Sequence, residues 1–574
     1  MSPRVPGAAL SRRAFLTAAA PAAVTFQTRE QVDFVVIGSG AAGGTMAREL
    51  SRAGFTVVVL EQGPYRKAAD ITHDELAVTF EVALQGDEPQ TFRPTAADPA
   101  EPMANPFHPA HYARTVGGSS THFTANYWRF RPIDFKERSV LGGIAGTALA
   151  DWPISYEDLE PYYTKVDWEV GVSGAPGPHD PYRSRPYPHP PLPVKSSGVL
   201  FERGARKLGF QPHVAPMAIL SEPRPGRGAC AHCGSCMGFM CEMNAKSSTL
   251  ASMIPEAEAT GRCEIRAEST VHRIELDDAG RCRQVVYFDK DGAEHAQAAR
   301  AVVLSANGAE TPRILFMSES SRFPQGLGNG SGLVGKHLMF NGGSLVNAWF
   351  EEPLNEYKSQ GVTRICTDWW DTDPRRGFYG GGGLDGRQIY NGPLLFALAG
   401  IPPEERHWGM DFRRMLSERF TRSMQTLSHT TSLPLETNTV TLDDEVKDRF
   451  GRPVLRITYK DHPDDLAMMR YLQDRGAEIM EAAGATRVWK EPVAEQNVGF
   501  HLLGTCRMGN DPTTSVVDKY HRSHEVPNLF ICDGSSLVTS GRGQPTMTIQ
   551  ALAFRAADHI VEAARKGDMR PGGS

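Results

Sequence analysis

The sequence predicts an α/β protein built as two domains or as one large, elaborated domain, and three observations carry that prediction. At 574 residues the chain is longer than one hydrophobic core usually supports. Near its start, "VDFVVIGSGAAGGTMARELSRAGFTVVVLEQG" reads as an apolar strand (32–37), a glycine turn, a helix of small and apolar residues, and a second strand ending at Glu61. Far downstream, "LPLETNTVTLDDEVKDRFGRPVLRITYKDH" gives two alternating runs around a polar, glycine-containing turn, which is a β-hairpin by pattern. The next stretch, "DDLAMMRYLQDRGAEIMEAAG", has apolar residues at helical spacing and a terminal glycine, so Met468, Tyr471, Leu472 and Ile479 are expected in a core.

Composition narrows the classes. With 40% hydrophobic and 22% charged residues the chain is globular, and a formal net charge of -6 argues against a nucleic-acid binder. No apolar run reaches the about 20 residues that span a bilayer, so the chain has no transmembrane helix of its own and any membrane attachment must come from a partner. The first element, residues 1–29, carries "SRRAFLTAAAPAAVTF", where Arg12 and Arg13 precede a short alanine-rich stretch. This reads as a twin-arginine export signal and implies a periplasmic or exported protein that folds, with any cofactor, before it leaves the cytoplasm.

The second element is the strand–turn–helix–strand unit. Gly38, Gly40 and Gly43 form G-x-G-x-x-G in the context the motif requires: the first permits a tight turn, the second lets a pyrophosphate approach the backbone, and the third lets helix and strand pack closely. The phosphates would sit on the helix N-terminus, and Glu61 stands where a carboxylate binds ribose hydroxyls. This is a dinucleotide site, FAD or NAD.

Residues 228–248 hold "CAHCGSCMGFMC", with Cys230, Cys233, Cys236 and Cys241 spaced C-x2-C-x2-C-x4-C. Thiolates this close suit an iron–sulfur cluster, and the run nearly matches the bacterial ferredoxin pattern. Structural zinc and metal-free thiols or disulfides are the alternatives. The other five cysteines (Cys263, Cys282, Cys366, Cys506, Cys532) are scattered and read as buried free thiols. The Pro-rich "PGPHDPYRSRPYPHPPLP" reads as an irregular connection or lid, "FYGGGGLDG" as a mobile loop, and "YHRSHEVPN" as a surface loop. Trp128, Trp369, Trp370 and Trp408 either offer faces to a sugar ring or pack in the core.

Three further stretches carry a resemblance. "TVGGSSTHFTANYWRF" (Thr115 to Phe130), "SANGAETPRIL" (Ser305 to Leu315) and the run from "HLLGTCRMG" (His501) to "NLFICDGSSLVTSGRGQPTMTIQALAFRAADHI" resemble the flavin motifs of the glucose-methanol-choline (GMC) oxidoreductases, in that family's order. Within the family, the cysteine segment through Ser248 is similar to that of the gluconate 2-dehydrogenase large subunit and glucoside 3-dehydrogenases. The resemblance implies a Rossmann-like FAD-binding domain assembled from residues 30–335 and 495–566, and a substrate-binding domain on an antiparallel β-sheet from 336–494. It implies FAD contacts at Gly117, Gly118, Ser119, His122, Val271, Asp533, Gly534, Pro545 and Thr546. His122 matches the histidine joined covalently to the flavin in pyranose oxidases.

The chemistry so implied is oxidation of a CH–OH group of a sugar, glycoside or aldonic acid. The flavin accepts hydride, and the protein supplies a base and positioning. His501 holds the position of the family's catalytic histidine, and imidazole suits the role. Most relatives pair it with Asn or His before the final proline, whereas this chain has Gln544, whose extra methylene moves the amide; Asn497 is a second polar candidate. No C-x-x-C-H haem motif occurs. Electrons would therefore pass through the cysteine cluster to a small subunit and a cytochrome c or quinone-linked acceptor. The competing readings are an oxidase that reduces oxygen and a cysteine-cluster redox carrier without catalysis.

Overall fold

The computed structural model describes residues 24–569 except 68–69, 71–72, 81–85, 87, 105–107 and 391. The twin-arginine signal expected at Arg12 and Arg13 lies outside the described residues. β1 (Val32–Ile37), α1 (Ala41–Arg52) and β2 (Val57–Leu60) form the expected unit. β1 is central: β2 runs parallel on one side and Glu294–Leu304 parallel on the other. Cys263–Arg266 extends the sheet past β2, and Leu529–Ile531 pairs with Glu294–Leu304, again in parallel. Both faces are covered, which is why β1 from Phe34 onward and all of β2 read as unbroken apolar runs rather than alternating ones. On one face Met46, Ala47 and Leu50 of α1 share a core with Ala553, Ala556 and Ile560 of the C-terminal helix Thr546–Lys566. Beyond the parallel strands, Thr270–Leu276, Cys282–Phe288 and the near half of Glu294–Leu304 form an antiparallel meander.

A second sheet has six strands in the order Arg487–Lys490, Leu345–Trp349, Ser423–Thr430, Gly382–Arg387, Arg364–Cys366 and His213–Val214, all antiparallel. The helices Ser196–Lys207 and Pro463–Ala483 pack on it, so one strand and one helix of this layer come from residues 196–214. The predicted helix is Pro463–Ala483, ended by Gly484 in the left-handed conformation. Met468, Leu472 and Ile479 are fully buried, and Tyr471 packs at the margin of the same core. The predicted hairpin is Thr439–Lys447 with Pro453–Thr458, but it belongs to a third sheet, where it pairs with Gln90–Arg93.

Two loop expectations are corrected. The glycine run is not a mobile loop: Gly382–Arg387 is a strand, buried along its whole length. A Cβ on Gly382 would stand 2.2 Å from the His429 carbonyl oxygen, and one on Gly386 2.7 Å from the Cβ of Phe201. These glycines admit close neighbours rather than motion. In "YHRSHEVPN", His521 is 1% exposed and its Nδ1 lies 3.1 Å from the Ile531 carbonyl, so it is a core group. The five scattered cysteines are buried free thiols, as expected. The Pro-rich segment has neither helix nor extended strand between 174 and 195. Among the described residues no helix is long and apolar enough to cross a membrane.

Candidate active site

The turn between β1 and α1 opens on a cavity of about 810 Å³ that lies between the parallel sheet and the six-stranded sheet. Gly38, at φ +90, has no room for a side chain, because a Cβ would stand 2.5 Å from the Ser305 carbonyl oxygen. On Gly43 a Cβ would meet the Gly38 oxygen at 2.0 Å, so this glycine seats the helix against the turn. On Gly40 it would meet nothing within 4 Å, and Gly40 lines the cavity. A pyrophosphate can therefore approach the backbone at Gly40, in front of the N-terminus of α1.

The other predicted cofactor residues gather around this turn. Gly118 comes so near that its Cβ would stand 2.9 Å from the Cα of Gly40, and Gly117 donates its N–H to Ser39 Oγ at 2.9 Å. Ser119, Val271, Asp533, Gly534, Pro545 and Thr546 line the cavity, while Gly43 and Gly117 lie just behind its wall. Glu61 also lines it, and its carboxylate accepts from Ser39 N (3.0 Å), Ser39 Oγ (2.6 Å) and Gly63 N (3.0 Å). Burial pushes the Glu61 pKa up against the pull of those donors. Asp533 accepts from Asn307 N at 2.9 Å and Thr311 Oγ1 at 2.6 Å, tying the end of the last parallel strand to the helix Asn307–Met317. Pro545 and Thr546 begin the C-terminal helix, whose unpaired N–H groups open on the cavity. His122 lines the cavity with its Nε2 buried and, among the described residues, without a hydrogen-bond partner. Burial, and then the Lys246 charge, pulls its pKa down to about 4, so it stays neutral.

At the far end of the cavity His501 Nδ1 lies 3.0 Å from Asn341 Oδ1. Asn341 donates through Nδ2 to the carbonyls of Thr430 (3.1 Å), Ser540 (3.2 Å) and Gly541 (3.3 Å), which turns its oxygen toward His501. His501 therefore carries its proton on Nδ1 and keeps a lone pair on Nε2. Burial, reinforced by the nearby His429, pulls its pKa down to about 4 against a hydrogen bond with Gln544. Gln544 Nε2 in turn lies 3.0 Å from His429 Nδ1. Sequence reasoning missed Asn341 and His429, which no motif marks. Asn497 lines the cavity, but its amide donates to Asp461 (3.1 Å) and to the Ala494 carbonyl (2.8 Å) rather than to His501. None of the four tryptophans is in the cavity wall: Trp128, Trp369 and Trp370 are buried and Trp408 is 68% exposed.

The N-terminal GMC oxidoreductase family model matches residues 32–340 and its C-terminal counterpart matches 434–553. The chain is a GMC oxidoreductase. It is 34% identical to the 2-methyl-1,2-propanediol dehydrogenase of Mycolicibacterium austroafricanum, over 92% of this chain and 95% of that one. It is 29% identical to the fructose dehydrogenase large subunit of Gluconobacter japonicus, over 93% and 98%. The formate oxidase of Aspergillus oryzae RIB40 shares the fold, with a TM-score of 0.66 at 15% identity, over 95% of this chain and 100% of that one. As a GMC oxidoreductase the chain is an FAD-dependent enzyme of the kind that acts on CH–OH donors, and the glycine cradle with its helix N-terminus fits FAD.

In this GMC oxidoreductase the four thiols of the cysteine segment are not gathered into one metal-holding group among the described residues. Among the described residues no three His, Cys, Asp or Glu side chains converge to hold a metal ion, and all four thiols are free. The loop closes on a cation instead. Lys246, 2% exposed, donates to the carbonyls of Phe123 (3.2 Å), Phe239 (2.6 Å) and Cys236. Cys233 points to solvent, while Gly234 is pressed so close to the Tyr357 carbonyl that a Cβ would stand 1.8 Å from it. Met237, Gly238 and Phe239 line the cavity, and Gly238 N donates to the His122 carbonyl at 2.8 Å. The segment is thus a wall of the cavity.

Proposed function

We propose that this enzyme oxidises a CH–OH group of a sugar, glycoside or aldonic acid to a ketone or lactone and passes the electrons to a separate acceptor, such as a cytochrome- or quinone-linked partner. The observation that carries the reading is the Asn341–His501 hydrogen bond, which leaves His501 Nε2 as an unprotonated base facing the cavity. FAD, when bound, supplies the hydride acceptor. His501 Nε2 takes the hydroxyl proton, Asn341 holds the ring through Nδ1–H, and Gln544 beside it accepts from the ring once it is protonated. Asn341, Arg387, His429 and Gln544 together give that end of the cavity the polar lining a polyhydroxylated substrate needs. A short vicinal diol is the second reading, favoured by the activity named for the relative with 34% identity.

The test is dye-coupled turnover of the purified holoenzyme with D-glucose, methyl glucoside, gluconate, D-fructose and 2-methyl-1,2-propanediol. The expected result is dye reduction with at least one of the first four and no stoichiometric peroxide in air. Peroxide would make it an oxidase, dye reduction with 2-methyl-1,2-propanediol alone would favour the vicinal-diol reading, and flavin that none of the five donors reduces would remove both substrate readings.

The Nε2 of neutral His122, unpartnered among the described residues and on the cavity wall beside the cysteine loop, supports a covalent link to the flavin. Acid precipitation is then expected to give a yellow pellet for the wild type and a colourless one for His122→Ala. A colourless wild-type pellet excludes the link.

A further inference from the structure

Lys246 is placed by its backbone, which bridges antiparallel to Ile219, while Ser247 N next to it donates to the Ala218 carbonyl at 2.8 Å. Its side chain runs inward to a site 2% exposed, where Nζ donates to the carbonyls of Phe123 (3.2 Å), Phe239 (2.6 Å) and Cys236. Three acceptors engage all three N–H groups of an ammonium, and a neutral amine has only two, so the geometry calls for the charged form. The acceptors are backbone carbonyls rather than carboxylates, so dipoles solvate the charge and leave it un-neutralised. It stands just behind the cavity wall: Phe123 and Phe239, whose carbonyls it holds, line the cavity together with His122 and Gly238. Gly238 N closes the two segments on each other by donating to the His122 carbonyl at 2.8 Å. Water screens a charge in such a place only weakly, and at His122 that charge adds to burial in pulling the pKa down.

We propose that Lys246 is a positioning residue for the flavin reaction: it clasps the two segments that wall this part of the cavity, and its fixed charge stabilises the negative charge that FAD gains with the hydride. The step balances without a further reactant. The substrate C–H bond breaks and its hydrogen moves with both bonding electrons to the flavin, the hydroxyl proton moves to His501, and the cavity gains one negative and one positive charge. A buried cation behind the wall offsets the first of these where water cannot. Its use in turnover rests on the oxidation proposed above, whereas its effect on the flavin is read with no donor present. The clasp also gives the cysteine loop a task that needs its backbone carbonyls and not its thiols.

The test is an anaerobic redox titration of the purified holoenzyme, with xanthine and xanthine oxidase as the reducing system and reference dyes, which gives the midpoint potential of the bound flavin without a sugar or a diol. Lys246→Met removes the charge and the donors, whereas Lys246→Gln keeps N–H donors for the carbonyls and carries no charge. Both should shift the potential to more negative values, disfavouring reduction by about tenfold in the equilibrium constant. Lys246→Arg keeps the charge and should stay close to wild type. A wild-type potential in Lys246→Gln would make the lysine a clasp alone and overturn the proposal, and so would a shift in Lys246→Arg as large as that in Lys246→Met. Where the uncharged variants fail to fold or to hold flavin, the wild type decides. Loaded with 15N-labelled FAD and reduced, it should show an ionised flavin N1 well below the pH at which free reduced FAD becomes neutral. A neutral N1 at that pH overturns the proposal. Neither measurement needs a donor, so a failed donor screen and a failed charge effect are told apart.

Discussion

His501 is held between two amides, and burial decides its charge. The pKa falls from 6.5 to about 4 because the buried ring loses hydration, with His429 reinforcing that fall and the hydrogen bond to Gln544 opposing it. The working form of a general base is the deprotonated one, so the lowered pKa extends activity toward acid. Flavin reduction by a saturating donor is expected to be flat between pH 5 and 8 and to fall only as the pH drops through about 4. An acid limb near 6.5 would mean the ring is solvated and the assignment of a buried base is wrong. His501 and His122 were legible in the sequence because each stands inside a motif. Their partners were not. Asn341 is 160 positions from His501, and His429 meets Gln544 and Asp385 only through the register of strands that no local pattern encodes.

The elements around the site are held by buried arginines whose partners lie far along the chain. Arg542, 0% exposed, ion-pairs with Asp134 and Glu137 and so anchors the turn that carries Gln544 to the helical segment after Pro132. Burial raises the Glu137 pKa against the pull of Arg542, and Asp134 is the second carboxylate on the same guanidinium. Arg542→Met leaves that carboxylate buried and unpaired, at a cost of about 3–5 kcal/mol. It should lower Tm, and Asp134→Asn added to it should recover part of the loss. An unchanged Tm would show that the pair anchors nothing. The same elements mark the limits of sequence reading. β1, α1 and β2 were legible because their periodicity is local, as was the helix Pro463–Ala483 with its terminal glycine. The strand Gly382–Arg387 was hidden because its glycines, which imitate a loop, are there to admit His429 and Phe201 at close range. The hairpin at 439–458 was legible as a hairpin, but its partner strand lies more than 340 residues earlier and could not be read from it.

Over the whole molecule, the parallel sheet collects strands from residues 32 to 531, and the C-terminal helix closes over α1, so the flavin cavity exists only when both ends of the chain have docked. Ligand binding and folding are then linked: FAD that binds only the native state adds about 2.7 kcal/mol when its free concentration is a hundredfold above Kd. The glycine turn allows the two contributions to be separated. A side chain on Gly40 enters open cavity, whereas one on Gly43 would run into the Gly38 carbonyl at 2.0 Å. Gly40→Val should therefore lose flavin absorbance and the rise in Tm that added FAD produces, while the apoprotein melts where the wild-type apoprotein does. Gly43→Ala must push α1 off the turn and should lower the melting temperature of the apoprotein itself. Differential scanning fluorimetry of both variants with and without FAD distinguishes the two. If Gly40→Val destabilised the apoprotein as much as Gly43→Ala, the turn would be a packing element first, and the assignment of the space above Gly40 to the pyrophosphate would fail.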